Sequence, residues 1–276
     1  MRVRLPLALI AVALWAAPAA FAGSSSSSNW AGYAIHRSGV KFKRVIGAWK
    51  QPTLSCTRGV STYSAYWIGL GGYNVSSNAL EQIGTEADCD SSGHARMSAW
   101  YELVPAPSRA IKLSIHAGDE ISAIVAVTGH RVSLELADLT RHKSVSKALH
   151  ASSIDVSSAE WIAEAPSECT DANSCQTLPL ADFGSTTFVF DAAETTKDHS
   201  GAIANKTWDV TKITLVSGGR RFVGYHSGAS GGVATPSPLT GKESSFTVTY
   251  SDTSPEGGNP SLATDLRSGY IVHPAR

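Results

Sequence analysis

Apolar residues recur at every second position through most of the chain. Ile111, Leu113 and Ile115 share one face of an extended segment. Beyond the turn formers HAGD the same holds for Ile121, Ala123, Val125 and Val127, and beyond TGH for Val132, Leu134 and Leu136. A period of two marks half-buried strands, and three in succession joined by turn residues predict an antiparallel meander. Similar segments recur at RVIGAWKQP, SAYWIGLGG, MSAWYELVP, SAEWIAEAP, TTFVFDAA, KITLVSGG and SSFTVTYS. Helical spacing is hinted at only near SVSKALHAS. Many short strands separated by glycine and serine turns predict an all-β, antiparallel β-sandwich with one continuous core in a single domain.

The ends of the chain depart from that pattern. A basic start, MRVR, precedes an apolar run of thirteen residues and then the small residues Ala20 and Ala22. This is the form of a secretory signal peptide over residues 1–22. The run is shorter than the roughly 20 residues a spanning helix needs, so a secreted protein without membrane attachment is expected. Residues 23–28 read as a flexible Ser-rich leader, 29–251 as the folded domain and 252–276, rich in turn formers, as a C-terminal extension outside the core.

Composition narrows the partners. Lysine plus arginine number 23 and aspartate plus glutamate 23, which gives no electrostatic case for nucleic acid or an anionic surface. Four cysteines in an exported chain imply two disulfides. The short CTDANSC spacing suggests Cys169 with Cys175, leaving Cys56 with Cys89. Neither a CxxC pair nor HExxH occurs, so no metal or other cofactor is expected.

GASGG at Gly228–Gly232 resembles the setting of a protease serine, but Ala229 stands where that motif has aspartate, and no histidine sits in a characteristic context. A glycine-rich turn is the better reading. The carboxylates on strands are more suggestive. Period two puts Glu160, Ile162 and Glu164 on one face, Trp100 with Glu102 on another, and Leu80, Gln82, Gly84 and Glu86 on a third. Glutamates beside tryptophans fit a lined groove better than open water.

SNWAGY, YWIGLGG, LEQIGTE, AWYELVP, LTRHKSVSK, SAEWIAE and PLADFGSTTF occur in the order and approximate spacing of the eqolisin glutamic peptidases (peptidase family G1), which the chain resembles from about Ser27 to Ser251. The resemblance implies a secreted, metal-independent, pepstatin-insensitive endopeptidase, with two curved sheets in a concanavalin-like sandwich. It implies protein or peptide substrates and a monomer. It assigns the catalytic pair to Gln82, in the strand EQIG, and to Glu164, which closes SAEWIAE. It makes Trp30, Trp67, Glu86, Trp100 and Glu102 residues that line or support the cleft.

The chain departs from the fungal pattern at Gly71 and Ser98, where that pattern has aspartates. Fewer neighbouring carboxylates mean less like-charge pressure on Glu164. In full acid, 23 lysines and arginines and nine histidines would all be positive. Activity is therefore expected in mild acid rather than at very low pH. The stretch before the first motif is too short for a folded inhibitory segment, so this resembles a bacterial-type member without a long propeptide.

A carboxamide beside a carboxylate makes chemical sense. Glu164 would activate water and return the proton to the leaving amine, while the Gln82 amide would donate to the oxyanion without titrating. Two alternatives use the same residues: a sandwich glycoside hydrolase built on Glu102 and Glu164, and a carbohydrate-binding module whose tryptophans stack on sugars.

Overall fold

The computed structural model describes residues 23–74, 76–171, 174–220, 226–227, 231–242, 244–252 and 270–271. The signal-peptide segment, Gly228–Ser230 of GASGG and most of the C-terminal extension lie outside the described residues. Among the described residues the elements are all strands: β1 (Gly23–Ser27), β2 (Trp30–His36), β3 (Phe42–Lys50), β4 (Thr62–Gly71), β5 (Leu80–Cys89), β6 (Ala95–Val104), β7 (Arg109–Ile111), β8 (Glu120–Thr128), β9 (Arg131–Asp138) and β10 (Lys143–His150). The second half adds β11 (Ser158–Glu164), β12 (Ser167–Asp171), β13 (Ser174–Thr177), β14 (Ser185–Thr195), β15 (Ser200–Ala202), β16 (Asp209–Leu215), β17 (His226–Ser227), β18 (Gly232–Pro236), β19 (Phe246–Asp252) and β20 (Tyr270–Ile271).

The expected sandwich is present, built as one ladder folded over on itself. Its order is β10-β9-β8-β3-β14-β19-β18-β16-β2-β11-β4-β5-β6-β7. The β10-to-β19 half and the β16-to-β7 half pack their inner faces together, and β18 carries the ladder from one to the other. Val45, Trp49, Ile121, Val125 and Phe188 from the first half meet Tyr33, Ile68, Ile83 and Trp161 from the second in a single core. Each such large side chain, fully buried, contributes about 1.5–3 kcal/mol by leaving water. Strand β5 is held from this side: Trp49 Nε1 donates to Thr85 Oγ1 at 3.0 Å, and Thr85 donates to Gln51 Oε1 at 2.6 Å.

Both expected disulfides form, Cys56–Cys89 and Cys169–Cys175. The first ties the β3–β4 connection to the end of β5. The second lies across the paired strands β12 and β13.

Three expectations are corrected. Of the first meander segment only Arg109–Ile111 is a strand. The Leu113 N–H turns back to the Ile111 carbonyl at 2.8 Å, a three-residue turn that ends the ladder while Leu113 and Ile115 still fill the core. The hint of helix at SVSKALHAS gives way to β10, an edge strand paired antiparallel with β9, because partnership along a ladder overrides weak local spacing. The Ser-rich leader, expected to lie outside the folded domain, contains a strand: β1 runs parallel to β16 over Gly23–Ser27, with Ser27 buried. In the extension, Tyr270–Ile271 pairs with β12.

Candidate active site

The outer face of the β16-β2-β11-β4-β5-β6 strip carries a second, smaller apolar cluster of Trp30, Ala34, Ala65, Trp67, Leu80, Trp100, Ile162 and Ile213. Register puts the polar candidates on this same face in three rows. One row runs Trp30, Glu164, Ala65, Glu86, Ser98; the next Gly32, Ile162, Trp67, Gly84, Trp100; the third Ala34, Glu160, Gly69, Gln82, Glu102. Paired residues face the same way, so the alternation read from the sequence holds in every strand. It also brings the three separate faces together into one.

Glycines make room for the tryptophans. A Cβ at Gly84 would lie 2.6 Å from Trp67 Cβ, and one at Gly69 would lie 3.1 Å from the far edge of the Trp67 ring. The Trp67 indole therefore rises beside Gly84 and leans over Gly69. Trp30 meets it edge-on, with ring centroids 5.0 Å apart.

Glu164 is held at both oxygens. Trp67 Nε1 donates to Oε2 at 2.7 Å and Asn29 Nδ2 donates to Oε1 at 3.1 Å. Asn29 is itself fixed, its Oδ1 accepting from Ser27 Oγ at 3.0 Å, while that same Oγ accepts the Asn29 and Trp30 N–H groups. Asn29 carried no role in the sequence reading, although it sits in SNWAGY beside Trp30. The leader serine that anchors it belongs to β1.

Gln82 is held at one end only. Its Nε2 donates to Glu102 Oε2 at 2.7 Å. Its Oε1 accepts no hydrogen bond from a protein group among the described residues. Gln82 and Glu102 are each 1% exposed and Glu164 5%. No direct bond between Gln82 and Glu164 occurs among the described residues: their strands are separated by β4, their rows are offset, and Trp67 stands in the row between.

Glu86, in the Glu164 row, accepts a hydrogen bond from Ser98 Oγ. Ser98 thus supports a carboxylate from the position where the fungal pattern supplies its own. At Gly71 the substitution has a steric reason. The backbone there is left-handed, with φ of 88°, and a Cβ would come within 2.6 Å of the Asp155 Cβ. Asp155 fills this space with its own carboxylate, which accepts from Gly72 N–H at 3.1 Å and Ser77 Oγ at 2.5 Å.

Glu160, in the Gln82 row, is fully buried. Burial pushes its carboxyl well above the ordinary range, with Asp155 and Glu81 adding to the rise. It stays neutral and is a poor candidate for the base.

A curved, all-β antiparallel sandwich in a single domain is the fold class of the glutamic peptidases. Solved structures agree. The chain is similar to scytalido-glutamic peptidase with a transition state analog inhibitor, at 25% identity and a TM-score of 0.63, over 81% of this chain and 98% of that one. It is similar to SCP-B, a member of the eqolisin family bound to the tripeptide Ala-Ile-His, at 22% identity and a TM-score of 0.61 over the same shares. Aspergilloglutamic peptidase from Aspergillus niger shares the fold at 24% identity and a TM-score of 0.52, over 69% of this chain and 99% of that one. No curated protein sequence matches the chain. The Peptidase A4 family pattern matches residues 28–220, and the chain belongs to that family, the eqolisin glutamic peptidases. It is by membership a peptide hydrolase.

Proposed function

We propose that this is an exported endopeptidase that works in mild acid and hydrolyses peptide bonds with Gln82 and Glu164, by direct attack of water. The observation that carries the reading is the unequal tethering of the two side chains. Glu164 has both oxygens oriented by N–H donors, as a base must when it takes a proton along one direction. Gln82 has one amide hydrogen engaged by Glu102. This leaves its second N–H for an oxyanion and its carbonyl for a water.

In the reaction, Glu164 accepts a proton from water as the water oxygen bonds to the scissile carbonyl carbon. The carbonyl π electrons move to oxygen, and the Gln82 N–H stabilises the resulting charge. Glu164 then returns its proton to the amide nitrogen as the C–N bond breaks, releasing an amine and a carboxylic acid. A second carboxylate at position 82 would repel the oxyanion that a carboxamide attracts.

Removing an oxyanion donor typically costs ~10²- to 10³-fold in rate. Gln82→Ala and Glu164→Ala are each expected to lose at least that much on unfolded casein or a quenched peptide, with circular dichroism unchanged. Turnover at the wild-type rate by either variant overturns the assignment. The sugar-binding alternative is disfavoured by burial: Trp30, Trp67 and Trp100 are at most 1% exposed and pack in one cluster, whereas stacking on a sugar needs an open ring face.

A further inference from the structure

Beyond the Gln82 row, the same face continues to His36 and Ser158, which pair across β2 and β11. There it opens into a cavity of about 600 Å³ between the strand ends. Among the described residues its basic lining is His36, Arg37, Lys41 and Arg220, and its acidic lining is Asp155. The Asp155 carboxylate is already engaged by Ser77 Oγ and by the Gly72 and Ser157 N–H groups, so its charge is largely answered from within. Arg37 holds Asp209 at 2.9 Å, while Lys41 adds a further cation to the wall.

Tyr73 joins this cavity to the tryptophan face. It packs against the Trp30, Trp67 and Trp100 cluster, its ring stacks on His36 with centroids 4.4 Å apart, and the Arg220 guanidinium lies 5.5 Å from its centroid. Tyr73 also donates to Thr211 Oγ1 at 3.2 Å, the atom His36 Nε2 meets at 3.0 Å. The wall is thus a built one, with an aromatic plate between two basic groups. Arg220 Nη2 also donates to the Tyr73 carbonyl at 3.5 Å, and a planar guanidinium carries five N–H donors, enough to serve a carboxylate beside the partners it already has.

We propose that this cavity is a substrate subsite for a carboxylate, supplied by an acidic side chain or by the terminal carboxyl of the peptide. The proposal rests on the catalytic reading of the face. At about 3.3 Å per residue, Ser158 lies ~13 Å along β11 from Ile162, the row between Gln82 and Glu164. An extended peptide laid along the strands reaches it with a residue about three or four positions from the scissile bond. The enzyme would then favour substrates with Asp or Glu at that distance on one side. Burial and the nearby Arg220 hold the His36 pKa below its usual value, against the pull of Asp209. A substrate carboxylate, ionised above pH ~4, carries its charge through the mild-acid range.

The experiment compares paired quenched peptides that differ only by Glu or Gln at each of four positions on either side of one cleavable bond, at pH ~5.5 and low salt. Each is made with a free or an amidated C-terminus. The full mature chain is tested as wild type, Arg220→Ala and Lys41→Ala/Arg220→Ala. A kcat/KM ratio of about 3- to 10-fold in favour of Glu at one position is expected, as partly exposed charge pairs give. The ratio should fall toward unity in the double variant and in 0.5 M salt, with Gln peptides cleaved at the wild-type rate throughout. A preference that follows the free C-terminus instead identifies the carboxylate as terminal and equally supports the subsite.

No Glu preference at any position, or one that both variants keep, overturns the proposal. A folded wild type that cleaves none of the peptides refutes the hydrolase reading instead. Fluorescence anisotropy of the same peptides then decides the subsite, since equal affinity for Glu and Gln forms overturns it.

Discussion

At the scale of single residues, Trp67 links the two halves of the site. Its indole N–H fixes one oxygen of Glu164, and its ring edge leans over Gly69, the row neighbour of Gln82. A hydrogen bond to a charged group is typically worth about 1.5–3 kcal/mol, roughly 10- to 100-fold if felt only in the transition state. Trp67→Phe keeps most of the ring and removes the donor. The expected outcome is a fall of that size in kcat with KM nearly unchanged, and a smaller fall for Asn29→Ala, whose bond is the longer of the two. Steady-state kinetics on one peptide check both. A change confined to KM would mean these groups bind substrate rather than orient the base.

At the scale of elements, the strand faces were legible because alternation survives in every ladder. Glu164 with Ile162, Glu102 with Trp100, and Gln82 with Glu86 fall where a period of two puts them. What alternation cannot give is registry between strands, so three faces read separately turned out to be one. The same limit hid Asn29, whose role depends on Ser27 in a strand that looked like a linker, and Asp155, which reaches the face from the connection before β11. Local turns also escaped: nothing in the spacing of Ile111, Leu113 and Ile115 distinguishes a strand from a bent segment that buries the same side chains. Registry can be tested at Gly69. A Cβ there would lie 2.9 Å from Leu80 Cδ1 and 3.1 Å from the Trp67 ring. Gly69→Ala should displace the indole and lower kcat at least ~10-fold, while overpacking costs ~1–3 kcal/mol of stability. A fully active Gly69→Ala enzyme would show that Trp67 need not lean over that row.

At the scale of the whole molecule, buried acids set how stability depends on pH. Burial pushes Glu81 up to about 8, against a backbone hydrogen bond from Asp155 that pulls it down, and pushes Glu160 and Asp191 well above the ordinary range. Each stays protonated in the folded chain while the unfolded chain releases the proton above pH ~4. Stability from these groups is therefore complete below that pH and falls as pH rises toward 8. Other carboxyls pull the opposite way. Asp90 is lowered by the His94 N–H and by Arg96, and Asp209 by Arg37. At Asp119 and Asp155 burial opposes the shift, but Arg141 and His116, and Ser77, Ser157 and Gly72, outweigh it. The stability these four contribute is lost as pH drops below ~4, where the unbalanced positive charge also grows. The two slopes place maximum stability in mild acid, at about pH 4–5. The expected melting temperature is highest there and falls toward pH 8. Glu81→Gln and Asp191→Asn, nearly isosteric and never charged, should flatten that fall and raise the melting temperature at pH 8 by several degrees, given ~2–4 °C per kcal/mol at this size. A wild-type melting temperature that rises from pH 4.5 to 8 would show that the buried acids are not neutral in the fold, and would remove the structural support for a working range in mild acid.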